Sequence, residues 1–194
     1  PGLGNLPLRD WDEGRVATVA RSTTSLLPRK WEQPYLNKPP GLHLPMGVLI
    51  RHQGDSETRV RLLPALFSSL AVPLILVLRR SLGGPEVEQR ARLAAVVLMT
   101  LLPMARHGRL AMLDGTLVSC TLLLWWGWLG ARQWPGRALI AGLAASGVLL
   151  LKPPALLGFG LIAALVGGRR CWPQGPSWLA LATGVSPGVG WPHE

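Results

Sequence analysis

Apolar residues are unevenly distributed along this chain, with a mixed, proline-punctuated stretch followed by long apolar segments. We call residues 1–61 the leading loop. A helix that crosses the hydrocarbon core of a bilayer needs about 17–25 mostly apolar residues. Six segments approach this pattern, at residues 62–78, 93–105, 115–131, 138–151, 155–168 and 177–191. The chain is therefore predicted to be all-α, with a polytopic transmembrane helical bundle over residues 62–194 containing about six spans.

The leading loop has the pattern of an ordered extramembrane segment with short juxtamembrane helices. Asp12 or Asp10 can cap a helix that runs to about Ser22, because a side-chain oxygen at this position satisfies free backbone N–H groups. A second helix is predicted over residues 41–52, where apolar and basic residues alternate as in a helix lying at a membrane interface. Residues 1–61 are thus expected to form one extracytoplasmic catalytic loop.

Two sites along the apolar region predict helix breaks. The second span is short before Arg106, and it reaches further if Arg92 snorkels to the interface and Pro103 kinks the helix. Lys152, followed by Pro153 and Pro154, is expected to form a tight turn between two spans, since successive prolines interrupt the helical hydrogen bonds.

The positive charges in the short loops predict how the bundle is oriented in the membrane. Positive residues favour the cytoplasmic side of short loops, and one face of the predicted bundle carries most of them: Arg79, Arg80, Arg90, Arg92, Arg132, Arg137, Arg169 and Arg170. The leading loop, the turn between Arg106 and Asp114 and the turn at Lys152 then share the opposite, outer face. Candidate polar residues from distant parts of the chain are therefore predicted to converge.

Composition agrees with a membrane protein. Of the 194 residues, 48% are hydrophobic and 15% are charged, and the net charge is +10. The basic residues lie mostly at the ends of apolar segments and are not interleaved with aromatic residues, which argues against a nucleic-acid partner. Because the chain opens at Pro1 and stops soon after an apolar stretch, it is expected to be a fragment truncated at both ends.

The sequence Asp12-Glu13-Gly14-Arg15 is the strongest candidate for chemistry. Two carboxylates can accept protons, and an adjacent guanidinium can bind an anion. Ordinary acidity in the first turn of a helix explains the same residues equally well.

Four further residues are candidates for the same site. Lys38 precedes two prolines that stiffen the backbone, and a fixed ammonium suits a phosphate, although this motif taken alone is better explained as a plain proline turn. Arg109, Asp114 and Lys152 lie at predicted span ends, where they could equally be interfacial anchors or a helix cap. The carboxylates could bind a divalent metal ion, but no ligand spacing specifies one, so the metal ligands stay unknown.

Five stretches taken together resemble a known family. They are LRDWDEGRVA at residues 8–17, PYLNKPP at 34–40, ETRVRLLPA at 57–65, GRLAMLD at 108–114 and LKPP at 151–154. In this order they are similar to the signature of multi-span, C-type glycosyltransferases that use polyprenyl-phosphate sugars. The nearest likenesses are the bacterial aminoarabinose transferases of lipid A and the protein O-mannosyltransferases.

The resemblance implies a membrane glycosyltransferase that moves a sugar from a polyprenyl-phosphate donor to a lipid, glycan or protein acceptor. It places the activity at the outer face of the bacterial inner membrane. It implies catalytic roles for Asp12 and Glu13, donor-phosphate contacts for Arg15, Lys38 and Arg109, and acceptor or cavity positions for Asp114 and Lys152. No cofactor is implied with certainty, and a divalent metal ion is a candidate.

Three departures from the family pattern bear on metal binding and acceptor identity: Asn37 replaces an acid, Pro153 a glycine and Val16 an aromatic residue. The alternative hypothesis is a non-catalytic transporter or assembly subunit, or an inactive fragment of the transferase. A transporter should carry its polar groups near the middle of the membrane, whereas a transferase should gather them at one interface.

Overall fold

The structure is a computed structural model that describes residues 2–9, 11–31 and 33–189. In this part of the chain, the helices are accompanied by a small antiparallel hairpin of two-residue strands, β1 (Arg29–Lys30) and β2 (Gln33–Pro34). A 3-10 turn is also present (Gly168–Cys171). The α-helices are α1 (Asp12–Ser22), α2 (His43–Gln53), α3 (Glu57–Leu82), α4 (Pro85–Thr100), α5 (Leu102–His107), α6 (Leu113–Leu129), α7 (Pro135–Leu151), α8 (Pro153–Gly167) and α9 (Pro176–Val189). The prediction of an all-α fold is confirmed, with the small hairpin as an addition.

Each of the six predicted apolar segments forms helix, but the helices differ in their capacity to cross a membrane. Within the described ranges, α3 is the one helix that is long and apolar enough to do so alone, with 26 residues and a mean hydropathy of 2.1 in its most apolar 18-residue window. It begins at Glu57, so the end of the predicted leading loop belongs to this helix. The apolar helices α7 and α8 are shorter. The last predicted segment is helical to Val189, and its positions 190 and 191 lie outside the described residues.

Apolar side chains on the outside of the bundle indicate where lipid would lie. Helix α8 buries Ala163 alone, and its Leu157 and Leu165 are 79% and 72% exposed. Leu179 on α9 is 75% exposed. Contiguous apolar surface of this kind is unfavourable in water and suits a hydrocarbon environment.

The two predicted helix breaks are present. The second predicted span divides at Leu101, whose backbone is extended, and Pro103 lies in the first turn of α5, where its missing N–H costs no helical hydrogen bond. The structure therefore has a break before Pro103 where a kink was predicted. Lys152 separates α7 from α8, with a backbone outside the helical region (φ −158°, ψ 86°).

Helices α1 and α2 pack onto one end of the bundle. Their apolar faces form one core with the beginnings of α3 and α6 and the end of α7, through the residues Val16, Ala17, Ala20, Leu42, Met46, Ile50, Val60, Ala111, Leu113, Leu117, Val148 and Leu151. The leading loop is thus fixed over the end of the bundle at which Asp114 and Lys152 emerge.

Candidate functional site

A cavity of about 300 Å³ opens where the leading loop meets the bundle. Its polar lining residues come from four separate segments of the chain: Asp12, Asn37 and Lys38, Asp114, and Lys152. Four of the seven site residues predicted from sequence therefore share one cavity, at the end of the bundle where the topology had placed them.

The other wall of the cavity is apolar. Val16, Leu117 and Leu151 belong both to this wall and to the core cluster below it. The cavity thus combines charged and hydrophobic lining residues, which suits a ligand with a polar head and an apolar chain.

Asp12 is the first residue of α1. The N-cap is Trp11, which makes no side-chain capping hydrogen bond, so the predicted cap at Asp12 is wrong; Asp10 lies outside the described residues. The Asp12 carboxylate is exposed to the cavity and has no hydrogen-bond partner among the described residues. It is therefore open to a ligand.

Lys38 is held in place by a close approach of its loop to α7. The Gly41 N–H donates to the Leu150 carbonyl at 2.8 Å, and a Cβ at Gly41 would lie 2.4 Å from that oxygen. Only glycine permits this contact. Because Lys152 follows Leu150 by two residues, the contact brings both lysines to the same cavity.

Beneath this loop, His43 is fully buried. Its Nδ1 lies 3.2 Å from the Pro39 carbonyl, and its ring meets the edge of Tyr35. Burial lowers the pKa of His43 to about 4, opposed by the hydrogen bond to Pro39 and assisted by the charge of Lys38. The imidazole is therefore neutral at physiological pH and supports the Lys38 segment from below.

Asp114 lies in the first turn of α6 and is exposed to the cavity. The segment that leads into this helix is anchored, because the Ala111 N–H donates to Glu13 Oε1 at 2.8 Å. Glu13, the residue next to Asp12, thus links the position of Asp12 to that of Asp114.

Glu13 does not line the cavity with Asp12. It is fully buried, and its carboxylate accepts from Arg61 Nε and Nη2, both at 2.7 Å, and from the Arg9 N–H at 3.1 Å. Adjacent residues of a helix point about 100° apart, and here Glu13 faces inward while Asp12 is exposed. The predicted pairing of Asp12 and Glu13 in one catalytic centre is thus not what the structure shows.

The ionisation of Glu13 is governed by these contacts. Burial by itself raises the pKa of a carboxyl, but the hydrogen bonds from Arg61, Ala111 and Arg9 outweigh it and hold the pKa of Glu13 below its ordinary value. Glu13 is therefore an ionised partner of Arg61.

Arg61 is the residue at the site that sequence reasoning missed. Its five N–H donors all have acceptors: two are used by Glu13, and the others bond the carbonyls of Leu3, Leu6 and Pro7. The chain did carry a signal, because an arginine in the first turns of an apolar helix needs a buried partner. Glu13 offers one, since its spacing to Ala17 and Ala20 places it on the apolar face of α1.

The remaining two predicted site residues lie elsewhere. The Arg15 guanidinium stacks over the Trp11 ring at 4.7 Å from its centroid and is outside the cavity lining. Arg109 lines a separate cleft with Arg9 and Arg106. The structure therefore brings Lys38 and Lys152 to the cavity as its cations, and the predicted arginines to neighbouring surfaces.

The cavity can bind an anion at its lysines and accept a proton at its carboxylates. Its carboxylates are Asp12 and Asp114, and Asn37 lines the same cavity. Over the described ranges, no three His, Cys, Asp or Glu side chains converge as a metal site would require. The divalent metal ion stays a prediction, and no step is assigned to it below.

Two crystal structures of ArnT from Cupriavidus metallidurans have this fold. The structure bound to undecaprenyl phosphate matches with a TM-score of 0.77 and 22% identity, over 97% of this chain and 38% of that chain. The structure in the apo state matches with a TM-score of 0.72 and 24% identity, over 97% of this chain and 37% of that chain. The chain thus spans less than two fifths of the length of these relatives. No curated protein matches it in sequence.

The polytopic membrane fold expected from the sequence is confirmed by these structures. The family model of the dolichyl-phosphate-mannose-protein mannosyltransferases matches residues 47–173, which include α3 to α8 and both Asp114 and Lys152. This match covers more than half of the chain and confirms the resemblance seen in its motifs. The chain belongs to the dolichyl-phosphate-mannose-protein mannosyltransferase family.

Proposed function

We propose that the complete protein is a membrane glycosyltransferase that moves a sugar from a polyprenyl-phosphate donor to a lipid, glycan or protein acceptor. The observation that carries this proposal is the convergence of Asp12, Lys38, Asp114 and Lys152 on one cavity that apolar residues also line. The similarity to a protein bound to undecaprenyl phosphate supports the donor class. The family supports the transfer of a sugar.

In the proposed reaction, an acceptor oxygen attacks the anomeric carbon while the bond from that carbon to the donor phosphate oxygen breaks. Asp12 takes the proton from the acceptor, since its carboxylate is free of partners among the described side chains. The leaving phosphate gains negative charge, which Lys38 neutralises. The products are the glycosylated acceptor and the polyprenyl phosphate.

The other cavity residues orient the acceptor. Asp114 lies in the first turn of α6 and Lys152 directly after α7, and both line the same cavity as Asp12, where they can contact an acceptor hydroxyl or phosphate. Glu13, through its pair with Arg61, becomes a positioning residue that keeps α1 and the approach to α6 in register. This assignment replaces the catalytic role that sequence reasoning gave to Glu13.

The position of the cavity also supports an assignment of the site to one side of the membrane. The polar residues gather at the end of the bundle where α3 and α6 begin and α7 ends, whereas the arginine-rich turns lie at the other end. With positive turns on the cytoplasmic side, the site faces outside the cytoplasm, at the surface of a bacterial inner membrane. This gathering at helix ends favours a transferase over a transporter, which should carry its polar groups near the middle of the membrane.

The test is the activity of Asp12→Asn in the full-length protein. Membranes containing the variant should transfer sugar from a radiolabelled polyprenyl-phosphate donor at a rate lower by ~10² or more, the usual scale for loss of a general base. Asp55→Asn is the matched control, because Asp55 is exposed, bonds Arg21 and lies outside the cavity. Equal rates for Asp12→Asn and the control would refute the assignment.

A further inference from the structure

An apolar pocket lies in the half of the bundle away from the candidate site. We call it the α3–α8 pocket; it has a volume of about 130 Å³, and its lining includes Leu78 and Leu82 of α3, Trp125 of α6, and Ile162 and Val166 of α8. No charged side chain occurs among its described lining residues. The pocket therefore favours an apolar occupant.

The polar group of Trp125 is satisfied within the protein. Its Nε1–H donates to the Phe159 carbonyl at 2.9 Å and joins α6 to α8. Because an unpaired N–H is costly in an apolar environment, this bond makes the indole an apolar wall of the pocket. Leu82 and Val166 are 50% and 67% exposed, and α3 is the helix best suited to cross a membrane. The pocket is therefore open to the lipid.

Helix α6 carries both the cavity of the candidate site and the pocket on one face. Asp114 lines the cavity, and Trp125 lines the pocket. The two positions are roughly three turns apart, so they point in the same direction to within about 20° and lie about 16 Å apart along the axis. Between them on this face, the Thr121 hydroxyl donates to the Leu117 carbonyl at 2.9 Å. Thr121 therefore places no unpaired hydroxyl in the path from the cavity to the pocket.

Helix α8 repeats this arrangement. It begins at the same end of the bundle, where Pro153 and Pro154 line the cavity, and its Ile162 and Val166 line the pocket. Between these positions, α8 presents apolar side chains such as Leu157, which is 79% exposed. Because α6 and α8 pack against each other, two neighbouring helices that start at the cavity both lead to the pocket.

We propose that the polyprenyl chain of the sugar donor runs from the cavity along α6 and α8, and that part of it occupies the α3–α8 pocket. This inference rests on the proposed function, because the occupant is the apolar part of that donor. Lys38 holds the phosphate at the cavity, and the attached chain has to leave the cavity towards the hydrocarbon. An apolar protein cavity of roughly 150 Å³ holds benzene, so the pocket accommodates one isoprene unit of the chain. The length of the chain thus becomes a determinant of donor affinity.

The test is the binding of undecaprenyl phosphate and of geranyl phosphate to the full-length protein in detergent, counted by native mass spectrometry. The wild type should bind undecaprenyl phosphate more tightly, because the short geranyl chain does not reach the pocket. Val166→Trp should weaken undecaprenyl phosphate binding by roughly tenfold or more, since it displaces several carbons from an apolar site, and should leave geranyl phosphate binding unchanged. Leu165→Trp is the matched control, because Leu165 is a 72% exposed α8 side chain outside the pocket lining.

Ile162→Trp and Leu161→Trp form a second pair, which keeps the test decisive if Val166→Trp fails to fold. Both residues are exposed on α8, and Ile162 lines the pocket whereas Leu161 does not. If the pocket variants bind undecaprenyl phosphate as their controls do, or lose both probes equally, the chain path is wrong, while sugar transfer by the wild type would still support the proposed function. Loss of bound phospholipid with undecaprenyl phosphate retained would make the pocket an ordinary lipid site and overturn the proposal. Failure of the wild type to bind either probe would refute the donor class and the chain path together.

Discussion

Glu13 on α1 and Arg61 on α3 form a buried two-point ion pair, with Nε 2.7 Å from Oε1 and Nη2 2.7 Å from Oε2. The same carboxylate accepts from the Ala111 N–H, and the same guanidinium holds the Leu3 carbonyl. One pair thus joins the leading segment, α1, α3 and the approach to α6. The geometry of the cavity depends on these four parts remaining together.

Removing one member of this pair should destabilise the protein strongly. For Glu13→Ala we expect a loss of about 3–5 kcal/mol in the free energy of unfolding, because Arg61 keeps a buried charge without its partner. Arg21→Gln breaks the exposed pair with Asp55 and should cost less than about 1 kcal/mol. Unfolding of both variants in detergent measures the difference, and similar losses would contradict the structural role of Glu13.

Lys38→Ala should mainly weaken use of the donor. The proposed contact is with the donor phosphate, so the apparent KM for the lipid-linked sugar should rise by roughly tenfold or more, as for loss of a charge-assisted hydrogen bond. Lys30→Ala is the control within the same loop, where the ammonium lies over Trp31 and outside the cavity. Steady-state transfer assays measure both; an unchanged KM and rate in Lys38→Ala would count against a phosphate role.

Stability should fall as the pH drops from about 6.5 towards 4. In this range the unfolded chain protonates His43, whereas burial lowers the pKa of His43 to about 4 in the folded protein. The full shift in the pKa of His43 contributes roughly 3 kcal/mol to the free energy of unfolding, at about 1.4 kcal/mol per pKa unit. Thermal unfolding in detergent between pH 7.5 and 4.5 measures it.

The matched variant separates His43 from other titrating groups. His43→Asn keeps a donor for the Pro39 carbonyl but does not titrate, so its melting temperature should depend less on pH than that of the wild type. His52→Asn, in the exposed last turn of α2, is the control for replacing a histidine. Identical slopes in all three proteins would contradict the buried, neutral state of His43.

Gly41→Ala should disturb the cavity from a distance. The added Cβ would lie 2.4 Å from the Leu150 carbonyl, so the loop carrying Lys38 must move away from α7. We expect an unfolding free energy lower by about 1–3 kcal/mol, as for other overpacking changes, together with a raised KM for the donor. Gly158→Ala on α8 is the control, since its Cβ would meet nothing within 4 Å. Equal stability and KM in the two variants would show that the close approach is unimportant.

The distribution of apolar residues determined most of the architecture. The lengths of the apolar segments were sufficient to place helices at all six of them, and Pro103 and Lys152 marked the two helix breaks. Helix bounds follow from local properties, chiefly apolarity and the missing N–H of proline. The alternation of segments also placed Asp114 and Lys152 at the same end, because short turns reverse the chain direction.

The sequence by itself therefore determined the helical membrane fold, the order of its motifs and the end of the bundle at which polar residues gather. Only the tertiary structure decided that Asp12 faces the cavity while Glu13 turns inward to Arg61, and that Arg109 belongs to a different opening. The physical reason is that neighbouring residues on a helix point about 100° apart. Their partners come from remote helices, so the direction of each side chain is fixed only when those helices pack.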